Sequence, residues 1–356
     1  MDVQGVSSGF FMSTDRLRIQ RKPFDLLTPA ERSAWAQLLD ESISSRWAFL
    51  SPAYAEAVNT AIGPVDVLLC WSGDALAAVM PLQRAAGWLG RLGLREPVGR
   101  EMSDYFGLLA RPDVRLDWQA LLKAAGIPCL YFTHLDESQA AHGLVGNDPR
   151  TGLRTRIHPD GGDAHWAWLR TQDKKLVSDT ERRERKLVAE HGALEFEMQS
   201  AAPEQDLQAL ITLKNAQYQR TGHDGGALLN PANARLLQQL LASDDPHCRP
   251  RLSVLRCGGQ FVAGHFGLQC GPLLHYWFPV YDNRFAAYSP GRILFRHILS
   301  KAGLEGIACI DRGEGDSMAK RDFANEEHQF FKGLVQTGPW GQALRLVQRL
   351  RWRFAA

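Results

Sequence analysis

A glycine-rich stretch with a single lysine, "IDRGEGDSMAKRDF" (310–323), carries residue types that are suited to chemistry. It does not fit a Walker phosphate loop, because Ala319 precedes Lys320 where a glycine is needed and Arg321 follows it where a hydroxyl residue is needed. It does not fit the D-x-[DN]-x-[DN]-G pattern of a calcium loop either. We predict that the glycines shape a loop which returns Lys320 to a binding cleft; a solvated surface lysine is the alternative.

A Pro-Gly pair at the start of a predicted helix is the second candidate feature. The stretch "NRFAAYSPGR" (283–292) leads into a helix predicted over 290–303. The first turn of a helix offers free N–H groups and a partial positive charge, which suits a diphosphate. Gly291 allows close backbone approach, and Arg292 adds a cation. A Pro-Gly helix cap without a ligand is the alternative.

The elements around these features are predicted to occur twice in the same order, which is strand, turn, strand, strand, helix and strand. In the first half they span 65–84, 104–110, 115–126 and 128–135, and in the second half 251–270, 273–282, 290–303 and 306–311. Single residues also align, since Val67-Leu68-x-Cys70 corresponds to Val254-Leu255-x-Cys257. This pattern predicts an internal duplication and two similar α/β domains. Helices are further predicted over 28–40, 179–192 and 206–222, and a strand over 193–199.

Composition sets the broad class. The chain has 356 residues, 45% of them hydrophobic and 22% charged, with a formal net charge of +2. This is typical of a globular protein, and the charge is too small to indicate a nucleic-acid partner. The six cysteines include no C-x-x-C pair, so we expect reduced core thiols in a cytoplasmic protein. We find no signal peptide, and no run reaches the ~18 apolar residues of a membrane span.

The C-terminal stretch "PWGQALRLVQRLRWRFAA" (339–356) has helical periodicity. It places Trp340, Leu344, Val347, Leu350 and Phe354 near one face and arginines elsewhere. The pattern predicts a basic amphipathic helix, which either makes a peripheral contact with an anionic membrane surface or docks on its own domain.

Four motifs in order carry a resemblance to a known family. They are "SDYFGLL" (103–109), "LKNAQYQRTG" (213–222), "YSPGRILFRHIL" (288–299) and "IDRGEGDSMAKRDF" (310–323). Together they resemble the CelD/BcsL-type acetyltransferases of cellulose and exopolysaccharide biosynthesis, which are tandem members of the GNAT superfamily and are distantly similar to the FemAB peptidyltransferases. The resemblance covers roughly residues 20–340. The usual diphosphate signature of the superfamily, Q/R-x-x-G-x-G/A, is absent, and "AAYSPGR" stands in its place.

The resemblance implies a mixed α/β fold with two GNAT-like domains in tandem, each of three layers. We expect an N-terminal tail over 1–19 and a degenerate domain over 20–160, which walls the acceptor site. The acyl-CoA domain is expected over 161–337, followed by the amphipathic helix over 338–356.

The resemblance also implies a cofactor site in the second copy. Acyl-CoA, as co-substrate, would place its pantetheine arm where two strands splay apart, and its diphosphate on the turn before the helix. The residues implied are Tyr276, Trp277 and Phe278 for the arm, and Ser289, Gly291 and Arg292 for the diphosphate.

Acyl transfer from a thioester needs a base for the acceptor and donors for the oxyanion. By the resemblance, Asp104 matches the base and Lys320 the cation that stabilises the oxyanion or an acceptor phosphate. Tyr281, like Tyr288, flanks the cofactor loop and is a candidate proton donor to the thiolate, with packing as the alternative. For Asp104, a strand-opening cap or a surface acid is the alternative. Substrate contacts are expected from Tyr105, Asp311, Glu314 and Asp316. The alternative for Asp311 is to orient Lys320, and for Glu314 and Asp316 it is to solvate the loop. We predict no metal, because no metal-binding spacing is present.

The leading hypothesis is an acyl-CoA-dependent N- or O-acyltransferase that uses acetyl-CoA on a saccharide or lipid-linked saccharide in envelope or exopolysaccharide biosynthesis. One alternative uses a longer acyl-CoA on a lipid amine. A second uses aminoacyl-tRNA in the manner of FemAB, although the net charge of +2 argues against a tRNA-binding face. A third is a non-catalytic binding protein that keeps the GNAT shape. We expect a cytoplasmic protein, peripheral at most on the inner face of the membrane, and no nucleic-acid partner.

Overall fold

The computed structural model describes residues 13–42, 47–222 and 226–355. They form two compact units. Unit 1 comprises the described residues within Met1–Asn59, Pro64–Pro149 and Phe330–Ala356, and unit 2 those within Thr60–Gly63 and Arg150–Gln329. Of the predicted tail over 1–19, residues 1–12 lie outside the described residues.

Unit 1 is built on a sheet with the strand order β1-β2-β3-β4-β6-β13. Its strands are β1 (Arg18–Pro23), β2 (Val65–Ser72), β3 (Ala75–Arg84), β4 (Leu94–Pro97), β5 (Leu109–Ala110), β6 (Cys129–Asp136) and the part of β13 (Glu326–Gln336) from Phe330 onward. Neighbours are antiparallel except β4 and β6, which are parallel, and β5 pairs with β3 beyond the end of β4.

Five α-helices lie in the described residues of unit 1. They are α1 (Pro29–Glu41), α2 (Pro52–Ala61, whose last two residues belong to unit 2), α3 (Trp88–Arg91), α4 (Trp118–Ala124) and α11 (Gly338–Ala355). Thr28 caps α1 through a reciprocal bond pair with Glu31, and Pro29 occupies the first helical position as predicted.

Unit 2 has a sheet with the strand order β7-β12-β11-β10-β9-β8. Its strands are β7 (Asn147–Arg156, in unit 2 from Arg150), β8 (Leu194–Glu197), β9 (Arg249–Cys257), β10 (Gln260–Cys270), β11 (Leu273–Tyr281) and β12 (Cys309–Glu314). Here β11 and β12 are the parallel pair, and the other neighbours are antiparallel.

Helices cover both faces of the unit 2 sheet. They are α5 (Gly162–Gln172), α6 (Lys174–His191), α7 (Pro203–Arg220), α8 (Pro231–Leu241), α9 (Pro290–Ala302) and α10 (Met318–Arg321). Apolar residues of α5, α6 and α9 share one core cluster with alternate residues of β9 to β12. Helices α7 and α8 contact strands β9 to β11 without joining that cluster, so they cover the opposite face.

The two units repeat one order of elements, as the sequence alignment predicted. In each, a first strand is followed by two helices, an antiparallel hairpin, a fourth strand, a helix and a parallel fifth strand. Some boundaries differ from prediction. The helix predicted over 179–192 begins earlier, at Lys174, because the Asp173 side chain accepts a hydrogen bond from the N–H of Leu176.

The C-terminal helix α11 docks on unit 1. Leu344 is buried, and Val347 packs with it against a small cluster that includes Leu89 and Leu94. The side chains of the predicted face residues Leu350 and Phe354 lie outside the described ones. In the part of the chain that the structure describes, no helix is long and apolar enough to cross a membrane.

Candidate active site

Strands β11 and β12 are paired at one end and open at the other. Their parallel pairing covers only three positions and ends with His275 opposite Asp311. On its other side β11 pairs with β10, but Tyr276 and Trp277 together oppose the single residue Gly267. Such a bulge bends a strand away from its neighbour. The opening therefore leaves the backbone of residues 276–281 without a strand partner on the β12 side.

Gly267 is required at this bulge. A Cβ atom at that position would lie 2.3 Å from the carbonyl oxygen of His275 and 2.5 Å from Nε2 of His265. A larger residue would therefore displace β11 where it bends. The predicted pantetheine residues Tyr276, Trp277 and Phe278 all lie in the bent part, with side chains that are each less than a tenth exposed.

The closed end of the opening is held by a buried ion cluster. Asp311 is fully buried; its carboxylate accepts a hydrogen bond from Nε of Arg154 at 2.8 Å and lies 3.6 Å from Nδ1 of His275. Burial acts to raise the pKa of Asp311, but the His275 contact and the charge of Arg154 outweigh it and leave the pKa below its usual value. Because Asp311 is fully buried, its position argues against the predicted contact with a dissolved substrate. Its carboxylate instead holds the parallel strands β11 and β12 together.

An arginine and aromatic rings close the side of the opening that faces α9. The guanidinium carbon of Arg312 lies 4.5 Å from the ring centroid of Phe295 and 5.7 Å from that of Tyr276. Burial lowers the pKa of Arg312 to about 10, so the group remains charged at neutral pH. Its Nη1 donates to the carbonyl of Lys320 at 3.1 Å. Sequence reasoning did not single out this residue.

The turn after β11 leads into α9 as predicted, with Pro290 at the first helical position. Ser289 has a left-handed backbone, with φ of 53°, and its side chain does not cap the helix. A Cβ atom at Gly291 would meet nothing within 4 Å, so the space beside the first turn at this position is open. A diphosphate bound at the helix start would have room there.

Two arginines lie at this turn, and the predicted one, Arg292, is already ion-paired. Arg292 forms ion pairs with Asp322 at 2.8 Å and Asp179 at 3.7 Å. From α6, Arg183 donates to the carbonyl of Ala287 inside the turn. The contact of α6 with the turn was missed from the sequence, because helix periodicity does not reveal which loop a charged face meets.

Lys320 lies on the loop that ends β12. Its Nζ donates to the carbonyl of Glu314 at 2.5 Å, and the next residue, Gly315, has a left-handed backbone with φ of 108°. The glycines thus fold the loop back so that the lysine meets the end of the strand, while its return to a binding cleft stays a prediction. The predicted substrate contacts beside it are paired with arginines, Glu314 with Arg150 at 2.6 Å and Asp316 with Arg321 at 3.2 Å.

A second lysine, Lys214 on α7, was missed from the sequence. Its Nζ donates to the carbonyl of Pro279 at 3.1 Å, on the bent part of β11. Burial, and after it the charge of Lys320, lower the pKa of Lys214 to about 8. The sequence held one signal, because Lys214 lies three and four residues after the buried Ile211 and Leu210 and so shares their helical face.

The remaining predicted residues lie elsewhere. Tyr281 ends β11 and packs, half-buried, against the core of unit 2. Asp104 and Tyr105 belong to unit 1, where Asp104 is half-buried. Tyr105 is 1% exposed and stacks on Trp47 at 4.4 Å, so packing accounts for its ring. The catalytic roles of Tyr281 and Asp104 remain predictions.

The described residues of unit 1 form no comparable opening. Strand β3 pairs with β4 as far as Pro97 and resumes with β5 at Leu109, so residues 98–108 leave the sheet between them. This segment occupies the edge of β6, where the N–H of Phe106 donates to the carbonyl of His134 at 3.0 Å. The sequence predicted one strand over 104–110, because the run is apolar. Its side chains are buried by packing instead, and only Leu109–Ala110 forms a strand.

Other predicted features concern metal and thiol chemistry. The cysteines are free and buried, as expected for core thiols. Among the described residues, no group of three or more His, Cys, Asp or Glu side chains is placed to hold a metal ion.

Comparison with known proteins adds a family match and two folds. Residues 174–337 match the family model described as an acetyltransferase (GNAT) domain. No curated protein matches the chain. The crystal structure of FemX is similar, with 10% identity over 87% of this chain and 96% of that chain and a TM-score of 0.55. So is the C-terminal DUF2156 domain of a protein from Agrobacterium fabrum that is described as a lysylphosphatidylglycerol synthetase, with 16% identity, 90% and 95% coverage and a TM-score of 0.51.

At these identities the two structures show likeness of fold alone, and the mixed α/β fold with two GNAT-like domains is confirmed. The opening between β11 and β12 and the turn before α9 both lie within the matched residues. A GNAT domain implies an acyl-CoA co-substrate in general. The chain is therefore an acyltransferase, and its residues 174–337 match the model of an acetyltransferase (GNAT) domain.

Proposed function

We propose that this chain transfers an acetyl group from acetyl-CoA to an amino or hydroxyl group of a saccharide or lipid-linked saccharide. The resemblance to CelD/BcsL-type enzymes supports a role of that reaction in envelope or exopolysaccharide biosynthesis. The observation that carries the proposal is the opening between β11 and β12, which is followed directly by the open first turn of α9 at Gly291.

Each part of acyl-CoA has a counterpart in unit 2. The amide groups of pantetheine pair with an exposed strand edge in the way that an added strand does, and residues 276–281 of β11 offer such an edge. At the start of α9 the diphosphate would take the N–H of Gly291, because Pro290 has no N–H and the N–H groups of Arg292 and Ile293 donate to the carbonyl of Ser289. Arg183 also contacts the turn, and it is paired with Asp179 at 2.7 Å.

The reaction is a direct displacement. The acceptor nitrogen or oxygen forms a bond to the acyl carbon, the carbon–sulfur bond breaks, and the acceptor proton leaves through a base while CoA departs as thiol. Lys320 stabilises the oxyanion that forms on the thioester carbonyl. Asp104 is retained as the candidate base for the acceptor.

Two other donors stay open as alternatives. A longer acyl-CoA would use the same opening on a lipid amine. The likeness of fold to FemX keeps an aminoacyl-tRNA donor as the second alternative, and that donor would not need the turn at Gly291. Neither alternative is favoured by a particular contact in unit 2.

Thermal unfolding with acetyl-CoA, a long-chain acyl-CoA, free CoA and ATP tests the proposal. A ligand at 100 times its dissociation constant stabilises the native state by about 2.7 kcal/mol, which raises the midpoint by a few degrees. We expect a shift with CoA species and none with ATP, and the largest shift identifies the acyl chain. The absence of a shift with every CoA species at millimolar concentration would overturn the proposal in favour of the tRNA-dependent donor.

A further inference from the structure

Two tryptophans of unit 1 are exposed side by side. Trp88 is 52% exposed and Trp340 is 53% exposed, although tryptophan is highly buried on average. Nε1 of Trp340 donates to the carbonyl of Leu92 at 2.9 Å, and Leu92 stands four residues after Trp88 and is 38% exposed. We call Trp88, Leu92 and Trp340 the tryptophan patch.

The patch is distinct from the apolar face that docks α11. That face is already covered, because Leu344 is 2% exposed and packs with Val347 on the core of unit 1. What α11 leaves outside is Trp340 at its start and Leu346, which is 63% exposed. An apolar surface therefore remains after the helix has docked.

Arginines are frequent in the segments that carry the patch, although Arg95 pairs with Asp66 at 3.1 Å and Glu96 follows it. Residues 84–95 and 338–355, which carry the patch, contain arginines and no aspartate or glutamate. Arg84 and Arg91 are exposed, and Arg91 makes no ion pair within the described part of the chain. Arg345 on α11 is half-buried. A surface of indole rings and leucine with unpaired guanidinium groups complements the interface of an anionic bilayer, where indoles occupy the headgroup level and arginines meet phosphates.

We propose that the tryptophan patch is a membrane-docking surface that binds anionic phospholipid bilayers. The proposal concerns unit 1 and stands apart from the acyl-transfer chemistry of unit 2. A protein docked in this way meets a lipid-linked acceptor at the membrane surface, and no helix has to cross the bilayer.

Flotation of the full-length protein with phosphatidylglycerol or phosphatidylcholine vesicles tests the proposal. We expect binding to phosphatidylglycerol vesicles that weakens with salt, and much weaker binding to phosphatidylcholine. Trp88→Ser removes an indole whose loss disturbs no internal hydrogen bond, and it should lower the partition coefficient about tenfold, since interfacial binding scales with buried apolar area. Arg91→Glu should lower it at least fivefold, from about 1 kcal/mol for each basic residue near an anionic surface.

Leu304→Ser is the matched control, because Leu304 is 82% exposed in unit 2 and lies outside the patch. It should leave vesicle binding unchanged, and unchanged unfolding midpoints should accompany all three variants. Equal binding by wild type and Trp88→Ser, or no binding to phosphatidylglycerol vesicles at all, would overturn the proposal. A dimer in solution that Trp88→Ser dissociates, without vesicle binding, would overturn it in favour of a contact between two copies.

Discussion

Nζ of Lys214 lies 3.1 Å from the carbonyl oxygen of Pro279, so a buried lysine of α7 donates to the strand that bends away from β12. Lys320, at the end of β12, is near enough for its charge to act on Lys214. The ammonium groups of Lys214 and Lys320 thus contact β11 and β12, the two strands that border the opening. Of the two, Lys214 has the lowered pKa, about 8, because burial disfavours its charge and the second ammonium repels it.

Lys214→Met should remove a pH-dependent step from catalysis. With a pKa of about 8, wild-type Lys214 loses its proton as the pH rises through 8, and the neutral amine accepts a proton. We expect kcat to rise through about pH 8 and then level off in the wild type. If Lys214 rather than Asp104 is the base, the rise should be absent in Lys214→Met and kcat lower by about 100-fold, within the range for a lost general base. CoA release with glucosamine as the probe acceptor measures both.

Lys301→Met, at an exposed position of α9, is the matched control and should keep the wild-type profile. The pH dependence of reductive methylation at Lys214, followed by mass spectrometry, gives its pKa without any acceptor. Half-maximal modification near pH 10 rather than 8 would contradict the lowered pKa. A rise in kcat that survives in Lys214→Met would assign the step to another group.

Lys320→Ala and Asp104→Asn test the residues that the family resemblance singled out. If Lys320 stabilises the oxyanion, its removal should lower kcat by about 100-fold or more with little change in KM, because the interaction forms only in the transition state. Asp104→Asn should lower kcat by a similar factor if Asp104 is the base. Circular dichroism and the unfolding midpoint serve as controls for folding. Full activity in both variants would show that the predicted catalytic residues are wrong.

Gly291→Val should weaken CoA binding without loss of stability. Neither Gly291 nor Gly303, at the two ends of α9, would place a Cβ atom within 4 Å of a neighbour, and neither has a left-handed backbone. The same substitution at Gly303 is therefore a matched control. At Gly291 the new side chain enters the space beside the first turn, and we expect the dissociation constant for acetyl-CoA to rise by at least about tenfold, a cost of about 1.4 kcal/mol. Isothermal titration measures it, and an unchanged affinity would place the diphosphate elsewhere.

The sequence predicted the order of elements well, because capping residues and apolar periodicity are local signals. Thr28 with Pro29, and Pro290 at the start of α9, mark helix starts that the structure confirms. The sequence also predicted the two duplicated hairpins, β2–β3 and β9–β10, because residues of one hairpin align with residues of the other.

The fine geometry of the candidate site could not be predicted from local signals. The opening depends on a bulge at Tyr276 and Trp277, which exists only relative to the register of β10. The sequence did not indicate that residues 98–108 leave the sheet. An apolar run predicts a strand in either case, whether its residues pair within a sheet or are buried by side-chain packing alone. The pKa values of Lys214 and Arg312 are lowered because elements distant in the sequence bury these side chains. The residue type alone does not predict such burial.

Asp311→Asn should destabilise the protein in a pH-dependent way. The folded pKa of Asp311 lies below its unfolded value of about 3.9. Its contribution to stability is therefore fully present above that unfolded value and is lost as the pH falls through the folded pKa. At pH 7 the variant leaves Arg154 and His275 without their buried carboxylate, and we expect a loss of about 3 kcal/mol. Urea unfolding at pH 7 and pH 3 should show a gap between wild type and variant that narrows in acid.

Asp316→Asn provides the comparison for that measurement. The Asp316 side chain is 65% exposed where it pairs with Arg321, so breaking this pair should cost less than about 1 kcal/mol at any pH. If Asp311→Asn were no more destabilising than Asp316→Asn at pH 7, the buried cluster would not be what holds β11 against β12. The opening would then depend on the bulge at Tyr276 and Trp277 alone, and Gly267→Ala, which crowds the His275 carbonyl, would become the more damaging substitution.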